Sequence, residues 1–333
     1  MPNWHEIGEE LKRAGSSFDV IRRGYIHSLS SYTGRNTIIY YSGWLQKGNI
    51  DGIAVNDADK NGLMTVIHQL DRDKGLDLIL HTPGGDTAAT ESIVDYLHNM
   101  FGNNIRAIVP QLAMSAGTMI ACSCKEIIMG LQSSLGPIDP QFNGIPAHGL
   151  VEEFRRAHSE IKEAVAEAAA RPQSAEAAGN AQAKIAIWQP IIAKYNPTLI
   201  GECEKAIDWS EKMVENWLNR NMFSDVEKHE RTEKVRIILK ELGDHSVNKA
   251  HARHLSLRKC QDIGLKIIKL EDDNLLQDLV LSIHHSCIHT LAGTNAFKII
   301  ENQNGIAFIQ NAQNIVLPRY TTIQYMRLLC YIL

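Results

Sequence analysis

The chain has 333 residues, of which 44% are hydrophobic and 22% charged, with a formal net charge of −4. These are the values of a globular chain with enough length for one large domain or two ordinary ones, and they exclude a disordered one. A net negative charge supplies no field that would recruit phosphates, so nucleic acid is not expected as a partner. The opening "MPNWHEIGEELKRAG" lacks an apolar core and carries acids early, unlike a signal or transit peptide. No apolar run reaches bilayer length, and "MRLLCYIL" is too short to span. The six cysteines are scattered, with Cys122 and Cys124 forming C-x-C, so reduced thiols in a cytoplasmic protein are expected. The paired spacing of a structural zinc site is missing.

Taken in order, "NTIIYYSGWL" (36–45) reads as a strand and "DADKNGLMTVIHQLDRDKG" (57–75) as a helix with Leu63, Val66, Ile67 and Leu70 at helical spacing. "LDLILHT" (76–82) reads as a buried strand, and "TAATESIVDYLHNMF" (87–101) as a helix with Ile93, Leu97 and Met100 on one face. "IRAIVPQL" (105–112) is the next strand, followed by an apolar helix from about Ser115 and by the strand "EIIMGL" (126–131). "VEEFRRAHSEIKEAVAEAAA" reads as a surface helix and "RPQSAEAAGNAQ" as a polar break, or a mobile lid over a site. Helices are expected at about 197–221 and 224–242, the second opened by the capping box "SDVE", and helix, turn and strand within 251–272. "NLLQDLVLSIHHSCIHTL" reads as helix.

Strand and helix alternating at this pace predict an α/β fold with parallel strands and right-handed crossovers. Such sheets bind and react at the carboxyl ends of their strands. The junctions "TPGGD" (82–86) and "LAMSAG" (112–117) both fall there. Acyl transfer needs a nucleophile, a base and donors aimed at the developing oxyanion. Adjacent glycines can turn a backbone N–H into a cleft that a side chain would obstruct. Ala116 and Gly117 leave room beside the Ser115 hydroxyl, and a helix start brings free N–H groups nearby. A serine at that position is equally what an ordinary N-cap requires.

The stretches "LILHTPGGDTAATESIVDYL", "AMSAGTMIACSCKEIIMG" and "SSLGPIDPQFNGIPA" resemble the Clp protease/crotonase superfamily of serine peptidases, and more closely the serine dehydrogenase proteinase family, relatives of signal peptide peptidase A. "TGRNTIIYYSGWL", "CEKAIDWSEKMVENWL" and "HARHLSLRKCQDIGLKI" resemble the same family, so the likeness covers about residues 1–300. It implies a Clp protease/crotonase-like (ββα superhelix) core with helical additions. The divisions expected are an N-terminal helical segment 1–35, a peptidase domain 36–270 with a helical insertion at about 150–222, and a mixed extension 271–333. It further implies Ser115 as nucleophile, the N–H groups of Gly85 and Ala116 as oxyanion donors, and Gly84 shaping the turn. A protein or peptide substrate, no cofactor and self-assembly into a homo-oligomer follow from the same resemblance. No G-x-x-x-x-G-K-[ST] occurs, so an unfolding or regulatory partner would be a separate protein.

The base is where this chain departs from its better-known relatives. Clp proteases carry a histidine just after the strand that follows the nucleophile helix, where this chain has "SLGPIDPQF" with Asp139. They carry an aspartate shortly before a "GL" turn, where this chain has His251 and His254 ahead of "IGL". An exchanged triad follows, with His251 or His254 as base and Asp139 orienting the imidazole. The alternative, patterned on signal peptide peptidase A, is a lysine base among Lys162, Lys184, Lys194 and Lys205. Lys194 in "WQPIIAKYNP" has the most apolar setting, and a lysine base needs burial to lose its proton near neutrality. The histidines 245, 251, 254, 284, 285 and 289 invite a metal reading, but no H-E-x-x-H completes a metalloprotease set. Two other functions stand beside the peptidase: a crotonase-type acyl-CoA enzyme, and a peptide-binding or oligomeric scaffold without turnover.

Overall fold

A computed structural model of the protein describes residues 7–10, 18–48, 50–142, 144–243 and 253–312. Helix α1 (Phe18–Thr33) leads into strand β1 (Asn36–Ser42), and α2 (Ala58–Ile67) separates β1 from β2 (Leu76–His81). Helix α3 (Thr87–Phe101) matches the expected span to the residue because Asp86 caps it, its Oδ1 accepting the Ala89 N–H at 2.7 Å, and Gly102 ends it. Strand β3 (Ile105–Val109), the short β4 (Leu112–Ala113), helix α4 (Ala116–Cys122) and β5 (Glu126–Met129) follow. β1 and β2 are buried at every position, as parallel strands covered on both faces must be.

After β6 (Ser134–Leu135) and the small hairpin β7 (Gln141–Phe142) and β8 (Ile145–Pro146), three helices form a projecting unit: α5 (Ala147–Ala170), α6 (Ala175–Ile192) and α7 (Leu199–Trp217). The polar break expected at "RPQSAEAAGNAQ" is confined to its first residues. Ser174 caps α6 through the Ala177 N–H at 3.2 Å, and the alanines that follow favour helix over coil. The expected capping box at Ser224 does not form. The Ser224 hydroxyl bonds the Asn221 carbonyl instead, and α8 (Lys228–Gly243) begins four residues on. β9 (Leu255–Ser256), α9 (Leu257–Asp262), β10 (Ile267–Lys269), α10 (Asn274–Gly293), β11 (Ala296–Asn302) and β12 (Ala307–Asn311) follow, with short helical turns at Trp44–Lys47, Arg72–Lys74, Leu218–Met222 and Leu270–Asp272 between the longer elements.

The central sheet has the order β10-β5-β3-β2-β1-β11-β12. β10, β5, β3, β2 and β1 are parallel, as expected, whereas β11 and β12 run antiparallel. The C-terminal stretch read as a mixed extension contributes β11 and β12 to the sheet beside β1. Alternation along the strands divides the core into two layers. Leu78, Leu80, Ala107, Val109, Ile127 and Met129 pack against α2, α3, α4 and α8, while Ile39, Tyr41, Ile79, Ile108 and Ile128 pack against α1 and α10. A second sheet, β4-β6-β9, lies at the carboxyl end of the first.

Buried charge ties α1 to β11. Arg22 and Glu301 are both fully buried and bonded at 2.6 Å, with Thr290 accepting a further Arg22 N–H at 3.0 Å. Leaving one member of such a pair wholly alone costs about 3–5 kcal/mol, an upper bound here because Arg22 keeps the exposed Asp19 at 2.7 Å. Glu301→Leu is therefore expected to lower the urea midpoint by up to that amount of stability, and an unchanged midpoint would refute the pairing.

Candidate functional site

The bends after β2 and β4 meet edge to edge. Thr82 N–H donates to the Leu112 carbonyl at 3.1 Å, and Met114 N–H donates to the Thr82 carbonyl at 3.0 Å. Beyond this lacing the first bend carries Gly84 and the second Ser115. A methyl group on Gly84 would lie 2.6 Å from Ser115 Cβ, 2.8 Å from the Met114 carbonyl and 3.0 Å from Ala116 N, in a backbone with φ of +98° that side chains rarely adopt. Gly85 is constrained from its other side. Val55 N–H donates to the Gly84 carbonyl at 2.8 Å, and the Val55 carbonyl accepts from Asp86 N–H at 2.9 Å. A side chain on Gly85 would overlap the Val55 backbone. Because Val55 bonds to the residues flanking Gly85, the Gly85 N–H faces away from it, as the alternation of a parallel bridge requires.

Ser115 occupies the N-cap position of α4, yet its hydroxyl caps nothing. Asp86, Ser174, Ser256 and Asp273 all bond helix N–H groups in the corresponding place. Ser115 also has φ +48° and ψ −113°. A non-glycine residue held there costs about 1–3 kcal/mol and persists only where the surroundings enforce it. The strain turns the half-buried side chain out of the strand-to-helix junction. Helix α4 has only seven residues, so it offers its first N–H groups more than a long macrodipole.

Ser115, Gly84 and Gly85 line a cleft of about 420 Å³. Its lining is mixed: Asp86, Thr87 and Gln141 contribute polar groups, and Met119 from α4, Ile138, Phe142 from β7, and Ala206 and Trp209 from α7 form an apolar wall. The sequence reading missed these walls and missed Val55. The apolar triplet "IAV" (53–55) between Gly52 and Asn56 is the one local sign that an extended segment pairs there.

Asp139 is buried, between Ile138 and Pro140 of the cleft wall. Its segment is fixed to the Ser115 junction by Thr118, whose hydroxyl donates to the Ala113 carbonyl at 2.8 Å and accepts from Gly136 N–H at 2.9 Å. Ala113 pairs with Leu135, and Leu135 with Leu255. The register therefore sets His254, the residue before β9, at the same end of this small sheet as Ser115. The His254 side chain is exposed. His251 lies outside the described residues. Lys194 is exposed just beyond the end of α6 and does not line the cleft, so the burial required of a lysine base is missing at that position. Among the described residues that line the cleft there is neither an imidazole nor an amine.

Two further histidines occupy the opposite face of the sheet. His81, the last residue of β2, packs on Trp44 and Tyr41 with ring centroids 4.4 and 5.3 Å apart, and on His284 of α10 at 5.3 Å. Burial pushes His81 down to about 3 and His284 well below the usual imidazole range. Both are neutral when folded and take up protons near 6.5 when unfolded, so the unfolded state binds more protons below that pH. Stability should fall on acidification from pH 6.5 to 5, by up to about 1.4 kcal/mol per pH unit for each ring. Urea midpoints across that window should show the slope, and His81→Phe should reduce it. An unchanged slope in that variant would remove His81 as its source.

Residues 50–169 match the family model of the ClpP-like SDH-type serine proteinases. Two uncharacterized proteins of Methanocaldococcus jannaschii are similar to the chain. One is 39% identical over 100 residues, covering 30% of this chain and 34% of the relative. The other is 33% identical over 111 residues, covering 33% and 37% respectively. The chain thus spans about a third of the length of the curated relatives it matches. The family match contains both bends and Asp139 but neither His254 nor Lys194.

Proposed function

We propose, from the match of residues 50–169 to the model of the ClpP-like SDH-type serine proteinases, that the protein hydrolyses peptide bonds through an acyl-enzyme on Ser115. The observation that carries this reading is the uncapped Ser115 hydroxyl, held in strained backbone against Gly84 at the wall of a cleft. In the reaction, Ser115 Oγ attacks the scissile carbonyl, and the N–H groups of Gly85 and Ala116 donate to the oxygen as it gains charge. Collapse expels the amine, and water then cleaves the ester on Ser115. The donors are backbone groups fixed by Val55 and by the start of α4, so they need little reorganisation as charge develops. The apolar wall formed by Met119, Ile138, Phe142 and Trp209 suits an apolar side chain of the substrate beside the scissile bond.

For the proton transfers we propose His254 or His251 as base, with Asp139 orienting the ring. The β4-β6-β9 register supports this by bringing the segment before β9 to the end of the small sheet where Ser115 stands. An exposed His254 would have to turn toward the cleft when substrate binds, a common difference between resting and working sites.

A fluorophosphonate probe tests the reading. Phosphonylation mapped to the peptide containing Ser115 is the expected result. Labelling that persists at another serine in Ser115→Ala would remove the assignment, and no labelling in the wild type would favour a scaffold without turnover.

A further inference from the structure

The first bend is held from behind by a buried charge network that reaches it from β11. Lys298 and Asp59 are both fully buried and bonded, with Nζ 2.7 Å from Oδ1 and 2.9 Å from Oδ2. The remaining direction of the ammonium is taken by the Ala54 carbonyl at 2.8 Å. Asp59 Oδ2 also accepts from the Tyr40 hydroxyl at 2.6 Å and from Asn56 N–H at 2.9 Å. Residues 54 and 56 are thus fixed by the two members of one ion pair, and between them stands Val55, which clamps Gly84 and Asp86. Ala54 itself lines the cleft.

A buried lysine and aspartate are an expensive way to fill space, since desolvating both charges offsets most of their attraction and an apolar pair would pack at lower cost. What an apolar pair cannot do is fix the direction of a carbonyl and an amide on either side of one residue. The segment 50–57 has no helix or long strand of its own to set those directions. We propose that Lys298, with Asp59, is a positioning residue for the oxyanion bend: it holds Ala54 and Asn56 so that Val55 sets the Gly84-Gly85 backbone against Ser115. Lys298 lies outside the family match, so the clamp comes from a part of the chain to which that match assigns nothing. The catalytic consequence rests on the peptidase reading, whereas the clamp itself does not.

Lys298→Met leaves Asp59 buried without its cation and endangers folding, so the decisive variant is Asp59→Asn with Lys298→Met. In it the introduced amide oxygen still accepts from Tyr40 and Asn56. Two measurements are made on the folded full chain. Hydrogen exchange at Val55 and Asp86 is expected to quicken by about tenfold or more while β2 and β3 keep their protection. The rate constant for fluorophosphonate labelling of Ser115, per folded molecule, is expected to fall by about 10- to 100-fold. A role in stability alone would shift the denaturation midpoint and leave that rate constant unchanged. Retained protection at Val55 and Asp86 in the folded double variant would overturn the clamp. Loosened amides with an unchanged labelling rate would overturn its role in positioning. Should the wild type itself not label, the peptidase reading fails, and the exchange data alone decide on the clamp.

Discussion

Ser115→Ala is expected to lower hydrolysis of peptide and ester substrates by between about 10³- and 10⁶-fold while leaving the protein folded. The size of the loss follows from the acyl-enzyme route, because the other hydroxyl lining the cleft, that of Thr87, stands at the start of α3 and not at the strained junction beside Gly84. The intact fold follows from the hydroxyl's idleness in the resting structure. It caps no N–H of α4, so its removal deprives the helix of nothing. Alanine meets the same backbone strain as serine, which keeps the stability change within about 0.5 kcal/mol. Initial rates and urea midpoints on the same preparations test both halves. Hydrolysis retained near the wild-type rate would dismiss Ser115 as nucleophile.

Gly84→Ala should have the next largest effect, and by a different route. The added methyl would press on Ser115 Cβ and on the Ala116 amide, 2.6 and 3.0 Å away. The bend must retreat from Ser115 or Ser115 must turn aside. Loss of one aligned oxyanion donor costs about 10²- to 10³-fold in turnover. The positive φ adds about 1–3 kcal/mol of strain, so here activity and stability fall together. The labelling rate at Ser115 and the denaturation midpoint separate the two losses. A variant that labels at the wild-type rate would show that the paired glycines do not bear on the nucleophile.

The sequence made both bends legible because their signals are local. Gly84 and Gly85 follow a run of apolar strand residues, and Ser115 precedes small ones, so alternation of strand and helix was enough to bring the two to one rim. Asp86 at the start of α3 is equally local, and that helix is placed to the residue. What stayed hidden depends on partners far along the chain. Nothing near Lys298 announces burial against Asp59, since strand alternation allows a lysine at any outward position. Lys194 misled for the same reason: its apolar neighbours Ile191 and Ile192 are themselves exposed. The Ala-rich stretch after Arg171 misled through its Gly and Asn, where helix propensity and the Ser174 cap prevail. The base remained open because a proton relay is a matter of three-dimensional approach, and neighbouring letters do not encode it.

The pairing of β1 with β11 has a consequence for how the chain reaches its final shape. Residues about 260 positions apart must find one another before β1 gains its second neighbour. Topologies governed by such distant pairings fold slowly. During synthesis Asp59 emerges long before the cation that neutralises it, and Arg22, which has Asp19 at 2.7 Å beside it, long before its buried partner Glu301, so the early half lacks the partners of its buried charges. The bend at Gly84 therefore gains its clamp from Lys298 only after the late strands arrive.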